Sequence, residues 1–447
     1  MRKLTQLGIL LLIASFTFVA CDNWVQSTDP QIDVIEDDLL NDPEQIEFLI
    51  TGVEARFAFT WTRVGLIADL TADQLIFDEV MDLATFPTYR EIGSNYSGVG
   101  NNTVFTNNTV RGAYNPLMGW RLLADDLVER VSGLEGLDSD VEQRANFAGN
   151  FYGALARYMI GFYLEDFACG ADAGIGSPAQ SCIDDFGGPL NASPVIRAAN
   201  MATNEILPRL ATAEQFATPE QVRIINTLRA RMHLFLGNYG ESFAAAQNGM
   251  QPGDAPFQSL HSVQAANEYF FAAGDGRIQV IPDYRFAQYV EDNPEEASRV
   301  RLKQAPANLV NVDEPRFQQD MYPLQASPMD FLTWQENHLI LAELAALRGQ
   351  SGDALSLVNA VRDSHGISAL PGPVDEQVII EERDKELFLQ GVRMFDMLRF
   401  GIWNAEVLGT PDVDGSIAGN PVGPWRGIPI PNDERNDNPC IADPGAC

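Results

Sequence analysis

Residues 378–401 constrain the fold more than any other part of this chain, because they combine an apolar stripe with a dense run of charge. The apolar side chains recur at the intervals that lay one face of a helix against a core: Ile380, Leu387, Phe388, Phe395 and Leu398. Polar side chains follow another face at spacings that allow pairing: Glu382, Glu386, Gln390 and Arg393. The segment therefore predicts a buried helix whose charges neutralise one another.

Gly391 interrupts this predicted helix. A glycine inside a helix costs roughly 1 kcal/mol relative to alanine, so its presence indicates a kink or a close approach of another backbone. Residues 382–386 carry both signs of charge. This mixture favours structural ion pairs over two carboxylates working as general acid and base.

The amino terminus has the pattern of a bacterial export signal. Arg2 and Lys3 precede an apolar run over residues 7–20 that is too short to be a convincing membrane span. The sequence Phe-Val-Ala-Cys at 18–21 is typical of a lipoprotein cleavage site, which predicts that Cys21 is acylated. Several acyl chains together give a stable anchor. We predict a signal peptide at 1–20, an acidic tether at 21–41 and a single folded body at 42–447.

The remaining four cysteines agree with export, because disulfides form in oxidising compartments. Each neighbouring pair encloses a loop rich in Gly, Asp or Pro, so we predict the pairs Cys169–Cys182 and Cys440–Cys447, with other pairings left open. Neither pair has the spacing or the histidine partners of a zinc site, and we predict no bound metal.

Acidic residues outnumber basic ones by 62 to 29, which gives a formal net charge of −33. Such an acidic surface repels nucleic acid and anionic lipid headgroups. Nucleic acid is therefore excluded as a partner, and attachment to a membrane is expected only through the lipid anchor.

Helical periodicity dominates the rest of the chain. It predicts helices at 42–65, 110–131 and 141–167, followed by two similar stretches near 225–250 and 336–362. Each of these two stretches indicates a helix, a glycine-bearing turn and a second helix, with Gly237 and Gly349 as left-handed caps. This pattern is typical of tetratricopeptide-like hairpins, which must stack to bury their apolar faces. The predicted fold is mostly α, a bent stack of such hairpins with long irregular insertions.

Two irregular regions are predicted to contact a ligand, at 78–108 and 251–329. A sugar ring packs on an aromatic face and is hydrogen-bonded by amides or guanidinium groups. Both regions supply aromatic side chains, although the alternative is that these merely pack on the body. The candidate ligand-binding residues are Tyr89, Arg90, Asn95, Tyr96, Tyr284 and Tyr289.

Motifs for catalysis or cofactor binding are missing from the sequence. It contains no G-x-S-x-G elbow, no H-E-x-x-H, no phosphate loop and no G-x-G-x-x-G. We therefore predict no enzymatic activity, no catalytic residues and no cofactor.

Two motifs resemble those of the SusD/RagB family of outer-membrane lipoproteins. The first lies within the C-terminal block 376–447 and comprises Glu382-Arg383, Glu386, Gly391-x-Arg393, Asp396, Arg399 and Gly401. The second comprises Ile428-Pro-Ile-Pro431, Glu434 and Asn438-Pro439. Gln390 stands where the family usually has Glu, which weakens one presumed ion pair.

This resemblance implies a helical-hairpin scaffold whose inserted loops bind the ligand. It also implies an outer-membrane, cell-surface lipoprotein that captures an oligosaccharide or similar nutrient without cleaving it. The partner implied by the resemblance is a TonB-dependent, SusC-like outer-membrane transporter that receives the nutrient. The alternatives are an exported tetratricopeptide scaffold that binds proteins, a peptide-binding protein of the same family and a secreted glycosidase.

Overall fold

The computed structural model describes residues 42–77, 107–164, 194–305, 316–402, 427–428, 430–431 and 434. For residues 194–197 it describes the backbone alone. Several sequence predictions lie outside these residues: the signal peptide, the tether, the acylated Cys21 and both predicted disulfides. The loop residues Tyr89, Arg90, Asn95 and Tyr96 also lie outside them. Tyr284 and Tyr289 are described.

Three long helices form the N-terminal layer. Helix α1 spans Ile46–Thr71 after a short 3-10 turn, α2 spans Asn108–Gly133 and α3 spans Ser139–Tyr163. Side-chain oxygens of Asn107 and Asp138 accept hydrogen bonds from the first turns of α2 and α3, as N-caps do. The three predicted helices are confirmed, with α1 extending six residues further. The layer packs around a cluster of buried rings: Phe57, Trp61, Trp120, Phe151 and Tyr158.

The chain continues through shorter helices into the first predicted hairpin. Helix α4 spans Pro194–Met201, a π-helical turn spans Ala202–Ile206, and α5 spans Leu207–Glu214. Helices α6 (Pro219–Phe235) and α7 (Tyr239–Ala246) form the hairpin. The left-handed cap predicted at Gly237 is confirmed, with φ +73°.

The irregular region after α7 contains short elements. Its two helices are α8 (Glu268–Ala273) and α9 (Tyr284–Asp292). Six short strands pair as three antiparallel ribbons. The pairs are β1 (Leu75–Phe77) with β3 (Val280–Pro282), β2 (Phe257–Ser259) with β6 (Met329–Leu332), and β4 (Leu302–Gln304) with β5 (Phe317–Gln319).

The second predicted hairpin is formed by α10 (Trp334–Leu347) and α11 (Ser351–Ser364). Gly349 caps α10 with φ +73°, as predicted. Helix α10 also packs on α6 and α7, so the two hairpins stack. This stacking confirms the mostly α architecture of helical hairpins.

Residues 378–401 form two helices, so the predicted helix is divided by a turn that contains Gly391. Helix α12 spans Glu376–Glu386 and α13 spans Arg393–Arg399. The turn between them has positive φ at Leu389 (+58°) and Gly391 (+68°). A Cβ atom at Gly391 would lie 2.7 Å from Trp61 and 3.1 Å from the Cα of Gly65. The predicted close approach of another backbone at Gly391 is therefore confirmed.

No helix in the described ranges is long and apolar enough to cross a membrane.

Candidate functional site

A buried group of ion pairs joins the C-terminal helices to the start of β1. Arg285 Nη2 lies 2.8 Å from Asp73 Oδ1, and Arg285 Nε lies 2.8 Å from Asp384 Oδ2. Arg393 Nε contacts the same Asp73 oxygen at 2.8 Å. Burial alone would raise the pKa of Asp73, but the guanidinium groups of Arg285 and Arg393 lower the pKa below its ordinary value. We call these four residues the buried charge cluster.

Gln74 extends the same connection along the backbone. Its side-chain Oε1 accepts a hydrogen bond from Leu389 N (2.7 Å), and its carbonyl accepts one from Asp283 N (3.0 Å). The residue therefore links the turn between α12 and α13 to the start of α9. Together, the contacts of the buried charge cluster and of Gln74 fix the position of the residues that immediately precede β1.

A second set of ion pairs holds the segment that leads into β4. Arg299 contacts Glu296 at 2.7 Å and Glu382 at 2.8 Å, and Arg362 contacts Glu382 at 2.6 Å. All four side chains are buried. These contacts fix the start of β4 against α11 and α12.

The β1–β3 ribbon brings the two predicted ligand-contacting regions together. Phe77, the last described residue before 78–106, pairs with Val280 of the second region. Ala305, the last described residue before 306–315, packs in a small buried apolar cluster. The other members of that cluster come from β1 and β3 or lie beside them: Ile76, Ile278 and Ile281. The first predicted loop region, 78–108, therefore begins at a place that described residues of the second region, 251–329, also form.

Aromatic side chains flank this place. Tyr284, half-buried at the start of α9, has its ring 6.5 Å from that of Phe317 on β5, and its hydroxyl lies 3.4 Å from Glu291 Oε1. Phe271 is exposed at the end of α8. A Cβ atom at Gly276 would lie 2.6 Å from the Cα of Phe271, so only glycine allows the following turn to pass this close.

Polar groups lie among these rings. Lys303 Nζ contacts Asp275 Oδ2 at 2.5 Å and Asp320 Oδ1 at 3.3 Å, and Gln318 Nε2 donates to Asp275 Oδ1 at 2.6 Å. The hydrogen bond from Lys303 lowers the pKa of Asp275. An ammonium group and ring faces are groups that hold a sugar, whereas Gln318 is buried and supports Asp275 from behind. We call Phe271, Tyr284, Lys303, Phe317 and Gln318 the loop-root face.

The two described candidate residues lie on a helix rather than on a loop. Tyr284 belongs to the loop-root face. Tyr289 is five residues later on α9, which places it about 140° around the helix axis. Its hydroxyl donates to Asp384 Oδ2 (3.1 Å), and Lys385 Nζ lies 4.6 Å from its ring centre. The structure thus brings Tyr289 to the buried charge cluster; its contact with a ligand stays a prediction.

Sequence reasoning did not select the strand residues of the loop-root face, Phe317 and Gln318, nor Lys303. Strands of three residues are too short to show an alternating pattern. One signal was present, because Lys303 is one of only three lysines in the chain. The role of Asp73 and Arg285 was also missed, since nothing in a single sequence shows that a charged residue is fully buried.

Asp69 supplies a pH-dependent contribution to stability. Tyr269 OH donates to its Oδ2 (2.6 Å) and Gly391 N donates to its Oδ1 (3.1 Å), yet burial raises the pKa of Asp69 to about 8. In the unfolded chain an aspartate has a pKa of about 3.9. Between these two values the folded state holds a proton that the unfolded state has lost. The free energy of unfolding therefore falls as pH rises through this window, by at most about 1.4 kcal/mol per pH unit.

We expect Asp69→Asn to remove this part of the pH dependence. Urea unfolding of both proteins at pH 5, 6, 7 and 8 measures it, and the difference between them cancels the contributions of other groups. The wild-type protein should lose more stability than the variant as pH rises. Parallel curves would show that Asp69 stays ionised in the folded protein throughout this range.

The chain shares its overall fold with solved SusD-superfamily structures. A protein described as a putative sugar-binding protein from Bacteroides vulgatus is 15% identical, with a TM-score of 0.61 over 89% of this chain and 96% of that one. A SusD-superfamily protein from Bacteroides thetaiotaomicron is 12% identical, with a TM-score of 0.62 over 89% and 98%. Surface glycan-binding protein A from the same species is 12% identical, with a TM-score of 0.61 over 89% and 98%.

No family model matches the sequence, and no curated protein sequence matches it. The resemblance of this chain to known proteins therefore rests on its fold and on the two short motifs.

Proposed function

From the SusD-superfamily fold of this chain, we propose that the protein is a noncatalytic binding protein for an oligosaccharide. The observation that carries the proposal is that the first candidate loop region begins at the β1–β3 ribbon, which residues of the second candidate region help to form, beside the loop-root face. Rings and polar groups lie together there, whereas the neighbouring carboxylate of Asp275 is already held by Lys303 and Gln318. Binding without bond cleavage fits this arrangement.

The proposal extends to location and partner. Acylated Cys21 anchors the protein in the outer membrane, and the acidic tether lets the body stand at the cell surface. The bound oligosaccharide passes to a TonB-dependent, SusC-like transporter. Co-purification of such a transporter with the full-length protein from native membranes tests this part, and mass spectrometry of the amino terminus tests the acylation of Cys21.

A glycan panel tests the binding role. The purified mature protein is incubated with oligosaccharides of known structure, and both the bound fraction and the products are measured. Binding with an unchanged glycan supports the proposal. Cleavage would establish a glycosidase instead.

Replacing both Tyr89 and Tyr96 by alanine is expected to abolish glycan binding, because the proposed stacking surface for the sugar rings is lost. Isothermal titration calorimetry measures the affinity, and circular dichroism checks that the helical content is unchanged. Tyr239→Ala is a matched control, since Tyr239 is an exposed tyrosine on the α6–α7 hairpin. Unchanged affinity in the double variant would remove these two residues from the site.

A protein-binding role is the second candidate. The stacked hairpins expose Tyr239 and Leu347, and Arg348 lies over the ring of Phe243 at 3.7 Å. Aromatic and arginine side chains are enriched in protein interfaces. A peptide panel beside the glycan panel separates the two roles, because a peptide-binding member of the fold would retain peptides and leave glycans free.

A further inference from the structure

Three arginines meet on one side of the helical layer, on α2, α3 and α5. Both oxygens of Asp125 are occupied by two of them: Arg157 donates to Oδ1 at 3.0 Å and to Oδ2 at 2.8 Å, and Arg209 Nη2 lies 2.7 Å from Oδ1. Arg157 Nε also donates to Glu205 Oε2 at 3.1 Å, and its Nη1 donates to Gly153 O at 3.2 Å. Arg157 therefore uses nearly all of its donors within the protein.

Arg121, the third arginine, has no such partner. It lies one helical turn before Asp125 on α2, where a carboxylate could accept from it, but Asp125 already serves the other two arginines. Its Nε is buried and has no hydrogen-bond partner among the described residues. Arg121 thus keeps an unused N–H donor one helical turn from a carboxylate that the other two arginines share. This place carries three guanidinium groups and two carboxylates, in a chain whose net charge is −33.

The backbone is adapted to this arrangement. The π-helical turn Ala202–Ile206 carries Glu205, and π-helical turns occur frequently at functional sites. A Cβ atom at Gly153 would lie 3.1 Å from Arg209 Nη1, so glycine lets that guanidinium lie close against α3. Burial, then the positive charges of Arg157 and Arg121, lower the pKa of Arg209. The three positive charges are therefore close enough to repel one another.

The cluster is open to solvent at one end. The side chain of Arg157 is 8% exposed, whereas those of Arg209 and Glu205 are 23% and 48% exposed. Glu434 accepts a hydrogen bond from Tyr114 on α2. Tyr114 is seven residues before Arg121, which is about 10.5 Å along the helix axis.

We propose that Arg121 and Arg209 form a binding site for a tetrahedral oxyanion, sulfate or phosphate, free or as an ester group on a larger ligand. Guanidinium groups bind such anions through paired, charge-assisted hydrogen bonds. Arg157 is a positioning residue, because it holds Asp125 and Glu205 in place. The site is separate from the loop-root face and does not depend on glycan binding there.

Calorimetric titration of the mature protein with sodium sulfate, and separately with sodium phosphate, tests the site at a constant ionic strength set with sodium chloride. We expect Arg121→Gln to weaken binding at least about tenfold, since a charge-assisted hydrogen bond contributes about 1.5–3 kcal/mol. Arg121→Lys keeps the charge without the paired donors and should bind with intermediate affinity. Circular dichroism confirms that each variant is folded.

Arg348→Gln is the matched control. Arg348 is exposed on the α10–α11 hairpin and stacks on Phe243, away from the other arginines. Sulfate also stabilises proteins without binding to a site, through exclusion from the surface, and the control measures that effect. Equal affinity of the wild-type protein and Arg121→Gln, or an equal loss in Arg348→Gln, would overturn the proposal. A titration of sulfated against unsulfated oligosaccharide then distinguishes an ester group from the free ion.

Discussion

Replacing Arg285 by alanine should lower the free energy of unfolding by about 3–5 kcal/mol, because it leaves two buried carboxylates that share Arg393 as their remaining arginine partner. Arg285 is 1% exposed and contacts Asp73 and Asp384 at 2.8 Å each. Both acids are buried, so water cannot replace the lost guanidinium. Urea unfolding followed by circular dichroism at pH 7 measures the loss.

Arg223→Ala is the matched control for this experiment. Arg223 contacts Asp254 through two nitrogens, at 2.7 and 2.6 Å, but the pair lies at the surface. Exposed pairs contribute little because water and salt screen them. We expect a far smaller effect there. Similar losses at the two positions would mean that the buried charge cluster is no more important than a surface ion pair.

Arg285→Lys separates charge from geometry. A lysine keeps the positive charge but donates from one nitrogen, so it cannot bridge Asp73 and Asp384 as the guanidinium does. Its stability should lie between those of the wild-type protein and Arg285→Ala.

Because Asp73 immediately precedes Gln74 and β1, the alanine variant is also expected to weaken glycan binding by releasing the start of the first ligand loop.

Gly391→Ala is expected to destabilise the protein by about 2–5 kcal/mol, from two effects that add. The residue has φ +68°, a conformation that costs a non-glycine residue about 1–2 kcal/mol. The new Cβ atom would lie 2.7 Å from Trp61, a buried ring, and 3.1 Å from the Cα of Gly65. Forcing extra volume into a packed core typically costs about 1–3 kcal/mol.

Gly349→Ala isolates the first of these effects. Gly349 has a similar φ of +73°, and no atom lies within 4 Å of a Cβ built there. Only the backbone cost of about 1–2 kcal/mol should remain. Urea unfolding of both variants gives the difference. If the two losses were the same, the contact of the α12–α13 turn with α1 would not be tight.

Local patterns predicted the helical part of the molecule well. The hairpin turns at Gly237 and Gly349 follow from the rule that a left-handed residue after a helix is usually glycine. The long N-terminal helices follow from apolar residues at helical spacing. The predicted helix over 378–401 ends earlier than its interruption at Gly391 indicates, and Leu389 in the turn adopts a positive φ that its residue type does not indicate.

The candidate site was predicted less completely. Tyr284 was selected from its residue type and does lie in the loop-root face, with its ring against Phe317. Tyr289, selected by the same reasoning, has its hydroxyl on Asp384. Lys303, Phe317 and Gln318 were not selected, since the β4–β5 ribbon that presents them is only three residues long in each strand.

The order of the described helices and their glycine-capped turns were set by short-range spacing of apolar residues, which one sequence displays in full. The choice of which charged residues are buried was made only by tertiary packing. Asp73 and Asp384 are 311 positions apart, and each is stable inside the protein only because Arg285 and Arg393 arrive from other helices. A buried charge depends on a partner brought from a distance, and no local pattern specifies that partner.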